Sequence, residues 1–148
     1  MLAGHNSYTG SITIGNGATL HLDNNAAANA IGIAAGGTLT GTAYQYGDMA
    51  NSGTFVPLTF NDPGQVFSPA RLHSYNESAG STLRIGVDDQ GGYPQLRVTG
   101  NATIAGSVQF DFAASPAPGK TYTILTVDGT LQGAFSGFTS NMPSVYGE

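Results

Sequence analysis

Apolar and polar residues alternate along this chain in short runs. Ile12 and Ile14 flank Thr13, Leu20 and Leu22 flank His21, and Ile31 and Ile33 flank Gly32. Leu83, Ile85 and Val87 alternate with Arg84 and Gly86, and Val108, Phe110 and Phe112 with Gln109 and Asp111. A period of two sends one set of side chains to a buried face and the other to water. The runs therefore predict short β-strands, with Arg84, Arg97 and Asp111 on the outer face. No segment carries a helical period of useful length. Ala26 to Ala30 is alanine-rich but short, and Asn29 interrupts it. Between the runs lie Gly15-Asn16-Gly17, Asp23-Asn24-Asn25, Gly36-Gly37, Asp88-Asp89-Gln90-Gly91-Gly92 and Asp128-Gly129. These residues adopt the positive φ that sharp corners require at little cost.

A Thr-plus-apolar pair recurs through the alternation: Thr19-Leu20, Thr38-Leu39, Thr59-Phe60, Thr82-Leu83, Thr103-Ile104 and Thr123-Ile124, at steps of 19, 21, 23, 21 and 20 residues. Its sharper form is Gly-x-Thr-Leu, at Gly17–Leu20, Gly36–Leu39 and Gly80–Leu83. Such a period points to a solenoid, and short strands with corners at that spacing describe the rungs of a parallel β-helix. Some turns suit hairpins too, so an antiparallel sandwich is the alternative. The expected fold is all-β, a solenoid of about six rungs, roughly 30 Å long at ~4.8 Å per rung. Asn61 to Ser78 breaks the alternation with Asn-Asp-Pro-Gly and Ser68-Pro69. The chain thus divides into rungs over 1–60, an inserted loop over 61–78, and C-terminal rungs with a cap over 79–148.

Composition narrows the function. Only 9% of residues are charged, against about 25% in an ordinary domain. Hydroxyls and amides must therefore cover much of the surface. With 40% hydrophobic residues, the chain has enough apolar material to avoid disorder. Net charge is −5, and Arg71, Arg84, Arg97 and Lys120 are the only lysines and arginines. That excludes the clustered cations that DNA or RNA backbones and anionic membranes require. The absence of Cys excludes disulfides, thiolate metal sites and Cys nucleophiles. No run approaches the ~20 apolar residues of a membrane helix. Met1 to His5 is not a signal peptide, and the chain reads as a segment of something larger.

Candidate chemistry is sparse. His5, His21 and His73 share no ligand spacing, so no metal site or cofactor is expected. Asp88-Asp89 with Gly91-Gly92 reads as a polar turn, since the spacing of known calcium loops is missing. His21 and Asp23 lie close in sequence, but no Gly-x-Ser-x-Gly elbow accompanies them. Arg84, Arg97, Asp88 and Asp111 could share an outer groove, as a polysaccharide-degrading enzyme would need; scattered surface charges are the simpler reading. Thr38-x-Thr40 and Thr121-x-Thr123 lack the rung-by-rung recurrence of an ice-binding ladder. No catalytic residue is assigned. The aromatics Phe110, Phe112, Tyr122, Phe135 and Phe138, with Ile124 and Leu125, read as core and cap and as candidates for a folding nucleus. Loops that leave a solenoid usually carry its binding, so Arg71, His73 and Tyr75 are candidate contacts of the 61–78 loop.

The second half carries a further pattern. It runs Ala79-Gly80-Ser81-Thr82-Leu83-Arg84-Ile85-Gly86-Val87-Asp88, then Leu96-Arg97-Val98-Thr99-Gly100-Asn101-Ala102-Thr103-Ile104-Ala105-Gly106-Ser107-Val108. Pro118-Gly119-Lys120-Thr121-Tyr122-Thr123-Ile124-Leu125-Thr126 and Gly133-Ala134-Phe135-Ser136-Gly137-Phe138 follow. This order resembles the C-terminal part of an autotransporter passenger, the exported domain of the type V secretion proteins of Gram-negative bacteria. Gln95 stands where that pattern has an acidic residue. The resemblance implies a right-handed parallel β-helix and a non-enzymatic role as stalk and autochaperone, nucleating passenger folding outside the outer membrane. It implies upstream rungs and a downstream barrel of the same chain as partners, and a place at the bacterial surface in a virulence factor. An adhesin contacting a host protein or glycan through the 61–78 loop is the first alternative. A polysaccharide-degrading β-helix is the second.

Overall fold

The computed structural model describes residues 10–22, 30–41, 45–58 and 69–142, and among them the chain is all-β with no helix. The strands are β1 (Ser11–Ile14), β2 (Thr19–Leu22), β3 (Ala30–Ile33), β4 (Thr38–Gly41), β5 (Gln45–Asn51), β6 (Thr54–Pro57) and β7 (Ala70–Glu77). They continue as β8 (Thr82–Val87), β9 (Leu96–Val98), β10 (Ala102–Ile104), β11 (Ser107–Phe112), β12 (Leu125–Val127), β13 (Leu131–Gly133) and β14 (Gly137–Ser140). One sheet runs β1-β3-β5-β7-β10-β13, with β9 and β12 beside the same path; the other runs β2-β4-β6-β8-β11-β14. The chain therefore crosses from sheet to sheet and returns beside its previous strand, with parallel pairing throughout. Two parallel sheets wound in this way form a β-helix-like stack. The hairpins of a sandwich would have given antiparallel pairs.

The alternating runs become β1, β2, β3, β8 and β11, and their apolar members stack in rows. One row is Leu20, Leu39, Phe55, Leu83, Val108 and Phe138. Another is Ile12, Ile31, Met49, Tyr75, Ala102 and Leu131. Leu39, Phe55, Leu83 and Val108 are fully buried. Each such side chain contributes about 1.5–3 kcal/mol, and only because the coils above and below cover it. Arg84 and Arg97 are exposed and Asp111 half-buried. The Gly-x-Thr-Leu motifs stand in one stack of corners, which Gly53-Thr54-Phe55 joins without matching the motif: Thr38 N donates to Ala18 O at 2.9 Å, Thr54 N to Gly37 O at 2.9 Å and Thr82 N to Gly53 O at 2.8 Å.

The recurrence is uneven. Leu20 to Leu39 is 19 residues, Leu39 to Phe55 is 16, Phe55 to Leu83 is 28 and Val108 to Phe138 is 30. Hence Thr19, Thr38 and Thr82 share a ladder, while Thr103 lies in the other sheet and Thr123 precedes β12; Thr59 falls outside the described residues. The added length gives the later coils a corner inside the first sheet. In β7, Leu72 and Tyr75 are both buried, three residues apart, so the strand bends at His73-Ser74. One coil later the bend becomes a break at Thr99-Gly100-Asn101, with Leu72 paired to Val98 and Tyr75 to Ala102. A Cβ on Gly100 would stand 2.6 Å from the His73 carbonyl oxygen, so the corner needs glycine.

The expected loop over 61–78 is corrected in part. Residues 61–68 lie outside the described residues, but Ala70–Glu77 is the longest described strand, paired to β5 on one side and to β9 and β10 on the other. The bend at His73-Ser74 disrupts its period of two, which is why the alternation is invisible in sequence.

Candidate functional site

The end coil, β12 to β14, is where the stack lies open. Leu131 is 54% and Phe138 68% exposed, although Ala102 and Val108 directly beneath them in the ladders are buried. Among the described residues both sheets thus finish in a strand whose outward edge has no strand partner, with apolar side chains continuing the core rows. An unpaired edge of this kind is a template for a further strand. Asn141 closes one corner of it: its side chain accepts from Phe112 N at 2.9 Å and donates to Phe112 O at 3.0 Å, taking the place of a strand partner. At the opposite end, β1 and β2 are the edge strands, with Ile12 and Leu20 half-buried.

The nucleus candidates divide by position. Phe110, Phe112 and Tyr122 meet in one aromatic cluster with ring separations of 5.7, 6.2 and 5.8 Å. Tyr93 completes the cluster, 5.1 Å from Tyr122 and edge-on, and its hydroxyl accepts from Thr123 N at 3.0 Å. Sequence reasoning missed Tyr93, because the 88–95 turn that carries it has no alternation. Ile124 is buried, and Leu125 and Phe135 pack partly buried against the core. Phe138 touches Phe135 at 6.2 Å but faces outward into the open end. The deepest core lies earlier, among Phe55, Tyr75, Leu83, Ile85, Leu96, Val98 and Val108.

Of the expected binding residues, Arg71 and His73 project from the outer face of β7, whereas Tyr75 is fully buried and cannot touch a partner. Arg71 stands directly opposite Arg97. Like charges placed opposite across a ladder are unfavourable. Arg97 is offset by Asp128, 3.0 Å from its guanidinium. His73 Nδ1 lies 2.7 Å from Asp48, and this ring with the Ser74 hydroxyl holds the Asp48 carboxyl below its usual range. Arg84 pairs with Asp111 on the next coil.

Asp88 caps its own turn, accepting from Gln90 N at 3.0 Å and Gly92 N at 2.6 Å. An open cleft of about 200 Å³ lies beside it, between the Val87–Gly91 turn and Ala114–Ala117, with Lys120 and Tyr122 at its side. Lys120 Nζ sits 5.7 Å over the Tyr122 ring and partly fills this space. His21 is half-buried on β2, and Asp23 lies outside the described residues. Among the described residues no three acidic, His or Cys side chains converge as a metal site. Compared with protein-family models, with curated proteins and with solved structures, the chain has no match.

Proposed function

We propose that this chain is a non-enzymatic stalk segment of an autotransporter passenger, a right-handed parallel β-helix of about six rungs that seeds folding of its neighbours at the bacterial surface. The observation that carries the reading is the pair of parallel ladders, in register from β1 and β2 to β13 and β14, with edge strands at each end whose outward sides have no strand partner among the described residues. Right-handed crossovers are the rule for parallel strands joined in this way. In a quasi-one-dimensional stack each coil is stabilised by the one beside it, so a folded segment lowers the barrier for the next. In this reading β1 and β2 offer their edge to upstream rungs, and the Leu131 and Phe138 end faces the barrel side. A chain without cysteine and with few charges also suits passage through an envelope unfolded.

The test adds the purified segment in trans to a secretion strain whose passenger lacks it. Restored protease resistance of the exported passenger is expected; an exported passenger that stays protease-sensitive overturns the seeding role.

A second reading rests on the Arg71–Arg97 juxtaposition, which favours an anionic surface partner such as an acidic glycan. Arg71→Ala and His73→Ala should then abolish retention on a heparin or sialoglycan column at low salt. Unchanged retention removes this reading.

A further inference from the structure

The row of inward side chains at the corner between the sheets begins Ile14, Ile33 and then turns polar: Asn51, then Glu77. Asn76 pairs with Thr103 in the next ladder, so the row passes on to Ile104, which stands over Gly133. A carboxyl group therefore stands between Asn51 and Ile104 in a row that isoleucine begins and resumes. Asn51 and Glu77 are buried at 1% and 3% exposure.

The surroundings are built around that carboxyl. The Asn51 amide donates to the Tyr75 hydroxyl at 3.3 Å, and this hydroxyl donates to Glu77 Oε1 at 3.3 Å. Asn51 Oδ1 accepts from Gly53 N at 3.1 Å, which fixes the amide. Glu77 Oε2 is buried with no hydrogen-bond partner among the described residues. The Ser81 hydroxyl, beside it, already donates to the Ser78 carbonyl at 2.7 Å. A Cβ on Gly106 would stand 2.9 Å from the Glu77 carboxyl carbon, so the glycine leaves the room the group occupies. The groups facing it are Tyr75 from its own strand, Asn51 from β5, Ser81 from the turn before β8, Ile104 from β10 and Gly106 from the corner before β11. Among the described residues Tyr75 is the only titratable one of these, and none is a cation.

We propose that Glu77 is a proton-controlled latch in the middle of the stack: protonated, it holds β7 against β10 and the Gly106 corner, and ionised, it loosens that junction. An ionised carboxylate in this place has no positive partner, and the donors nearest Oε2, the Ser81 hydroxyl and the Gly106 amide, stop short of hydrogen-bond geometry with it, so its burial is costly. The neutral acid fits, because it keeps the Tyr75 bond and carries no charge. Burial pushes the Glu77 carboxyl from 4.5 up to about 7, against the opposing pull of Tyr75, Ser81 and the Gly106 amide. The Tyr75 hydroxyl is pushed up by the same burial and by Glu77, so it stays neutral. A folded-state value above the unfolded one means that the native chain holds the proton longer. Stability is therefore full below 4.5, falls as pH rises to about 7, and is flat above that.

The experiment compares the whole chain with Glu77→Gln by urea midpoint from about pH 5 to 9, and by hydrogen exchange at Ile104 and Gly106. Every other titratable group is common to the two proteins, so the comparison isolates Glu77. The wild type should lose midpoint across the window while Glu77→Gln stays level. Corrected exchange at the two amides should speed by about 100-fold in the wild type only. Equal slopes in the two proteins overturn the latch. If Glu77→Gln does not fold, a carbon-detected titration of the Glu77 carboxyl in the wild type decides: a midpoint near 7 supports it and one near 4.5 overturns it.

Discussion

Leu83 and Phe138 belong to one row of side chains, yet they should respond to truncation in different ways. Leu83 is fully enclosed by coils on both sides, whereas Phe138 is 68% exposed. Leu83→Ala should cost about 2–5 kcal/mol in chemical denaturation. Phe138→Ala should cost under ~1 kcal/mol, as surface changes do. Gly100 makes the same point for the backbone: a methyl there would meet the His73 carbonyl oxygen at 2.6 Å, and main chain cannot step aside. Gly100→Ala should destabilise by about 1–3 kcal/mol, the usual cost of overpacking. An unchanged denaturation midpoint would mean that the corner relaxes. Individual residues were legible only where their neighbours cooperated. Leu39 and Leu83 announce themselves as core because polar residues flank them. Tyr75, equally buried, does not, because the bend at His73-Ser74 shifts its phase.

Strands and corners were the most legible level. The alternating runs all became strands, and Gly-x-Thr-Leu marks one recurring corner. What joins the strands from outside is weaker than it looks. Arg84–Asp111 and Arg97–Asp128 each clasp two neighbouring coils, but both arginines and Asp128 are exposed and Asp111 is only half-buried. Such pairs contribute about 0–1 kcal/mol and are screened by salt. Arg84→Ala should therefore lower stability by less than ~1 kcal/mol, and 1 M salt should shrink the difference further. A loss of several kcal/mol would assign the coils' cohesion to charge rather than to apolar stacking. The pairs themselves could not be read from the sequence, since Arg84 and Asp111 are 27 residues apart and meet only through the register.

Across the whole molecule, stability should follow coverage rather than chain order. The deepest burial falls on β6 to β11, while β13 and β14 are exposed and β1 and β2 form the other edge. Native-state hydrogen exchange should be slowest in β7, β8 and the start of β11 and faster towards both ends, because terminal coils are covered on one side only. Protection that is highest in β13 and β14 would refute this centre-out gradient. The site question belongs here too. An open ladder edge is a property of the assembled stack, and no residue of β13 or β14 signals it alone.

The local text of this chain was enough to give short strands, sharp glycine corners and an inward face, because alternation and turn chemistry act between residues a few positions apart. It was enough to suggest coils of about twenty residues, since Thr19 and Thr38 do stand together. It could not place strand β7, set the register beyond the first coils, or show that Glu77 sits in a row that Ile14 and Ile33 begin and Ile104 resumes. Those outcomes depend on which segments lie side by side. That is settled by the packing of side chains 16 to 30 residues apart, and nothing within a single coil encodes it.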